Sequence, residues 1–147
     1  MKKDFELLPH TADIKIKVYG KTLEDFFANA VIGMFQAIGP KIPGCKKQNE
    51  RVICQNLPNH HAIELDAPDL DALLVDFLSE VLYLSDVYDE AYLGAEVHEV
   101  SNTHIKAVVN GIKVQGFEVV EIKAVTYHEM SVKKIDGIWQ SNIVFDI

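Results

Sequence analysis

The sequence predicts a single α+β domain, two helices packed on antiparallel or mixed β-sheets. Three observations point there. Apolar residues recur at helical spacing in two stretches only, both in the first half of the chain. From Tyr92 onwards the pattern is that of strands alone. Strands and helices therefore do not alternate as βαβ units would require. With no repeat, linker or low-complexity tract, residues 1–147 read as one domain, long enough to bury a core without staples.

Phe5–Leu8 is a short strand that Pro9 ends. Ile14–Tyr19 alternates apolar and polar, as a half-buried strand does, and Gly20 stops it. Thr22 with Asp25 three residues on has the spacing of a helix cap. Leu23, Phe26, Phe27, Ala30, Met34 and Ile38 follow on one helical face, and Gly39-Pro40 ends that helix. Lys41–Lys47 reads as a loop. Arg51–Leu57 and Ala62–Ala67 read as strands flanking a turn, Pro58-Asn59-His60-His61. Pro68-Asp69 opens the second helix, whose stripe of Leu70, Leu73, Leu74, Phe77, Val81 and Leu84 is widened by Leu78 and Leu82. Tyr92–Val100 and Ile105–Asn110 flank Ser101-Asn102, Gly111 reads as a turn, and Glu121–Val132 and Ile138–Ile147 flank a hairpin at Asp136-Gly137.

The charge balance narrows the function. There are 22 acidic and 14 basic residues, a net charge of −8, with lysines single or in pairs. Tight autonomous binding to RNA or DNA needs a basic footprint that this chain lacks. A cation or a basic protein surface suits it better. No apolar run is long enough to span a bilayer, and no apolar stretch follows the basic start as a secretory signal would need. The expectation is a cytoplasmic protein in which Cys45 and Cys54, at no metal-ligand spacing, are reduced thiols.

Most familiar motifs fail on inspection. Gly39 and Gly44 have phosphate-loop spacing, but Cys45 replaces the lysine and a helix precedes them. His98-Glu99 and His128-Glu129 start like zincin motifs, yet Asn102 and Val132 stand where the second histidine belongs, and both pairs fall in predicted strands. His60-His61 reads as a solvated pair in a turn.

Two places remain. Pro9-His10-Thr11-Ala12-Asp13 sets an imidazole and a carboxylate three residues apart between two strands; either Asp13 bonds its own turn, or the pair is functional. The last strand reaches the final residue, with Asp146 on the polar face beside Asn142 and Gln140, just as Asp13 shares its face with Lys15 and Lys17. If those strands are neighbours, Asp13, Asp146 and the terminal carboxylate of Ile147 converge. Such a cluster repels itself unless a cation sits in it, and Ca²⁺, Mg²⁺ or Mn²⁺ favours oxygen ligands of this kind.

At these residues the sequence resembles the archease family. The resemblance rests on His10–Asp13, on Lys21–Ala30 after Tyr19-Gly20, on Asp71–Tyr83, on Lys123–His128 and on the closing Val144-Phe145-Asp146-Ile147. It covers essentially the whole chain. Asn110–Val120 departs most, since Ile112 follows Gly111 where an acidic stretch beginning Gly-Glu is expected. The resemblance implies a small archease-like α+β protein that is not itself an enzyme. It implies a partner, the GTP-dependent RNA ligase RtcB, which joins RNA ends in tRNA splicing and RNA repair, and a role in promoting ligase guanylylation and multiple turnover. It also implies a divalent-cation site at Asp13, Asp146 and Ile147, Ca²⁺ being the first choice, with His10 as an accessory or partner-facing residue. Contact with the ligase would be transient and RNA would be met only through it. Two rivals come from other classes: a metal-dependent hydrolase with His10 as base, and a chaperone-like RNA–protein adaptor with an exposed apolar patch.

Overall fold

The computed structural model describes residues 3–8 and 13–147. Pro9–Ala12, and with them His10, lie outside the described residues. The strands are β1 (Phe5–Leu8), β2 (Ile14–Gly20), β3 (Lys46–Gln48), β4 (Arg51–Ile53), β5 (Asn59–Asp66), β6 (Glu90–Val100), β7 (His104–Lys113), β8 (Ala124–Val125), β9 (Lys133–Ile135) and β10 (Ile138–Asp146). The helices are α1 (Leu23–Ile38) and α2 (Leu70–Tyr88). The α+β expectation holds, and every strand pairing is antiparallel.

One sheet has the order β1-β2-β10-β8, with β9 also on β10; another is β5-β7-β6; β3-β4 is a separate hairpin. α1 packs against both β2 and β6, so it lies between the two larger sheets. That is why its apolar surface is wider than one stripe: Val31 and Phe35 are buried along with Phe26, Phe27, Ala30 and Met34. Phe35 meets Tyr92 of β6 edge-on, and Phe27 meets Phe77 of α2 in the same way. Both helix starts follow the expected chemistry. The Thr22 hydroxyl accepts the Asp25 N–H at 3.0 Å, and the Asp69 carboxylate accepts that of Ala72 at 2.9 Å.

Six local readings are corrected. His60 and His61 lie within β5 rather than in a turn, and the strand expected over Arg51–Leu57 is only Arg51–Ile53. The loop expected over Lys41–Lys47 ends in β3, because Asn49 and Glu50 both take positive φ and close a two-residue hairpin. Continuing the pairing of Lys46 with Ile53 sets Cys45 opposite Cys54, and the two form a disulfide instead of free thiols. Gly111 is inside β7, not at a turn: a Cβ there would lie 2.2 Å from the Ala91 carbonyl oxygen, so only glycine lets β6 approach. The long strand expected over Glu121–Val132 shrinks to β8, and His128-Glu129 falls in a loop. There the backbone turns to side chains: the Ser131 N–H donates to Ser141 Oγ at 3.1 Å and that of Val132 to Asp71 Oδ1 at 2.9 Å.

The divergent segment between β7 and β8 docks on the C-terminal end of α1. Glu118 and Val119 donate their N–H groups to the carbonyls of Gly39 (2.7 Å) and Ile38 (3.1 Å), and Gln115 and Gly116 exchange hydrogen bonds with Lys41. It therefore occupies carbonyls that a helix end leaves open.

Candidate functional site

The β2–β10 ladder runs from Gly20 opposite Trp139 to Ile14 opposite Phe145. One further step in this register sets Asp13 opposite Asp146. Facing residues of an antiparallel pair project to the same side with Cα atoms about 4.5–5.5 Å apart, so the two aspartates share the polar side of the sheet. The far side of this ladder, at Ile16, Val18, Ile143 and Phe145, is fully buried. That burial is what enforces the register, because a slip of one residue would turn the carboxylates into the core.

β10 is held on its other flank as well. The Lys123 N–H donates to the Asp146 carbonyl at 2.8 Å, and Thr126 donates both its N–H and its hydroxyl to that of Val144. Asp146 itself is exposed, Asp13 half-buried, and Ile147, which follows β10, is exposed. Farther along the same side, Lys15 pairs with Glu129 at 2.5 Å, and Asn142 donates to Glu129 at 3.3 Å. The hydrogen bond from Lys15 holds the Glu129 carboxyl below the usual carboxylate range, with the Lys15 charge and Asn142 adding to it against partial desolvation.

Asp13 immediately precedes β2 and Asp146 ends β10, so only a continuation of the register past Ile14 and Phe145 would bring the two aspartates face to face, at an open end of the sheet. Two carboxylates with adjacent main-chain oxygens are a hard donor set suited to Ca²⁺ or Mg²⁺. Among the described residues, no group of three or more His, Cys, Asp and Glu side chains is arranged to hold a metal. A complete shell here therefore needs backbone oxygen or water beside the two aspartates.

Sequence reading missed two other polar clusters. In one, the buried Glu90 carboxylate accepts the Tyr92 hydroxyl at 2.7 Å and lies 2.7 Å from His61 Nε2, while His61 stacks on Tyr88. In the other, His104 sets Nδ1 2.7 Å from Asp66 and Nε2 3.1 Å from Glu64, with Glu99 at 4.0 Å. The Asp66 hydrogen bond raises the His104 pKa above its ordinary value, reinforced by the surrounding carboxylates. Both clusters join residues far apart in the chain, so no short motif announces them.

Comparison with known proteins agrees with this architecture. The sequence model of the Archease protein family (MTH1598/TM1083) matches residues 5–147. A protein archease of Methanosarcina mazei is 39% identical over 155 aligned positions, which cover 99% of this chain and 97% of the relative. One from Pyrococcus abyssi is 32% identical, with 99% of each covered. In fold, the chain is similar to the solution structure of protein 1598 of Methanobacterium thermoautotrophicum, with a TM-score of 0.68 at 24% identity, covering 98% of this chain and 99% of that one. It is similar also to a crystal structure described as an archease, "possible chaperone", from Thermotoga maritima, with a TM-score of 0.60 at 18% identity, covering 100% and 98%. With the family signature running through almost its whole length, and relatives above 30% identity matched end to end, the chain belongs to the archease family.

Proposed function

We propose that this protein is a non-catalytic activator of a GTP-dependent, RtcB-type RNA ligase in tRNA splicing and RNA repair, acting in the cytoplasm through an acidic divalent-cation site. The observation that supports the reading is the antiparallel pairing of β2 with β10, whose register, continued one step past Ile14 and Phe145, would set Asp13 opposite Asp146, in a chain of the archease family. Asp13, Asp146 and an oxygen of Ile147 would hold the ion, Ca²⁺ first, with Mg²⁺ or Mn²⁺ as substitutes. A bound divalent ion there supplies positive charge that binds phosphate oxygens. The chain's own part is to fix two carboxylates on a rigid ladder and to present them on an acidic surface. At net charge −8, the chain as a whole suits transient docking at a basic, RNA-binding mouth.

The test measures ligase guanylylation from GTP over time, and RNA joined per ligase molecule with ligase limiting. The unchanged protein should raise both. Asp13→Ala and Asp146→Ala should each abolish the gain while keeping the native circular dichroism spectrum, since removing a carboxylate relieves repulsion in the metal-free site. Folded variants that still drive multiple turnover would show that the aspartates are structural, and the reading would fall. His10→Ala should be milder if His10 only shapes its turn.

A further inference from the structure

The geometry points to a second binding site, distant from the aspartates, that takes a nucleotide unit: a base stacked on Trp139 with its phosphate on Lys133 and Lys134. It goes beyond the ligase-activator reading and does not depend on it. A groove of about 620 Å³ opens between the start of α2, the β6–β7 turn and the β9–β10 hairpin. Trp139, Pro68, Leu70 and Val132 supply its apolar wall, Lys133 and Lys134 its cationic rim, Asn102 and Thr103 its neutral polar edge, and Asp69 one carboxylate. Trp139 is the single tryptophan of the chain. Its indole packs partly on the core and is left only partly exposed along the groove. The β9–β10 register pairs Trp139 with Lys134, which puts the aromatic ring and a cation on one side of the same hairpin.

The charges decide the ligand class. Asp69 lines the groove and Asp71 is close to it; Asp69 caps α2 and Asp71 accepts the Val132 N–H, so their lone pairs are partly committed, but both keep their negative charge and weaken the pull on an anion. Among the described residues neither Lys133 nor Lys134 forms an ion pair, so both ammonium groups remain open to an anion. A partly exposed aromatic face with one unpaired lysine, Lys134, on its own side of the hairpin, a second, Lys133, paired with Gln140 and reaching the groove at its rim, and amide and hydroxyl partners matches a nucleotide's base, phosphate and sugar. Net charge −8 opposes it at long range and keeps the binding weak. Asp146 lies seven residues along β10 from Trp139, roughly 23 Å at the rise of an extended strand, so the two sites can be tested apart.

The experiment follows Trp139 fluorescence, and the anisotropy of a dye-labelled single-stranded RNA decamer, in the full chain without added metal or ligase. AMP and the decamer should both quench the indole, and inorganic phosphate should not. The decamer's dissociation constant should lie near 10⁻⁴ M or below, about the range of sequence-independent binding, and weaken with salt. Lys133→Glu with Lys134→Glu should weaken the decamer at least about tenfold, because two phosphate contacts become repulsive. Trp139→Phe, which keeps the core filled, should weaken it about fivefold by shrinking the stacking face. AMP binding as tightly as the decamer assigns the groove to free nucleotides; a decamer at least about tenfold tighter assigns it to single strands. No quenching by either, or affinity unmoved by the lysine reversals in folded protein, would overturn the proposal, and equal quenching by phosphate alone would overturn the base-stacking assignment.

Discussion

At the scale of single residues, the fold depends on positions where one atom too many is excluded. Gly111 is the sharpest. A Cβ there would sit 2.2 Å from the Ala91 carbonyl oxygen and 2.5 Å from the Tyr92 ring. Neither can retreat, since Ala91 is fully buried in β6 and Tyr92 is fully buried with its hydroxyl committed to Glu90. Gly111→Ala should lower unfolding stability by about 3 kcal/mol, the upper end for overpacking, measured by urea denaturation. Gly116→Ala is the useful contrast, for a Cβ there meets nothing within 4 Å and only its positive φ resists the change. A loss at Gly111 no larger than at Gly116 would refute the close-approach account. The candidate aspartates belong to this scale also. Their polar side was readable from strand parity, because alternation is local; that β2 and β10 are neighbours was not.

The elements show where pH acts. His104 starts β7 and reaches Asp66 and Glu64 of β5 and Glu99 of β6, so its imidazolium ties three strands at one end of their sheet. Its pKa is raised in the folded protein, first by the hydrogen bond to Asp66. The stability this contributes is complete below the unfolded pKa, near 6.5, and disappears as pH rises through the higher folded value. Two-dimensional NMR should show His104 titrating above an unperturbed histidine. Asp66→Asn should move it back down, and His104→Gln should flatten the slope of stability between about pH 6 and 8. A His104 that titrates with the other histidines would remove this account. Helix caps and the Asp136-Gly137 hairpin were legible because each depends on neighbours within a few residues. The β3–β4 hairpin was not, since Glu50 occupies a positive-φ position that glycine usually marks.

Over the whole molecule, two sheets share one helix layer, and the acidic sheet end stays outside that core. Binding there should therefore stabilise the domain without reshaping it. With the ion at about 100 times its dissociation constant, Ca²⁺ should add about 2.7 kcal/mol to unfolding stability, read as a rise in Tm over an EDTA control. Asp146→Asn should lose most of that rise and keep the metal-free Tm. An equal rise in both proteins would place the ion elsewhere.

The sequence by itself determined the fold class, both helices with the Thr22 cap of the first, the β9–β10 turn and the strand parity of Asp13 and Asp146. These follow from periodicity, parity and turn chemistry, which act over a few residues. Only the tertiary structure decided that β2 lies beside β10, that Cys45 and Cys54 are joined, that Gly111 sits where two strands nearly touch, and that segment 114–120 closes the end of α1. Each brings together backbone distant in sequence. Such contacts are selected by how the whole core fills its space, and no local pattern encodes that.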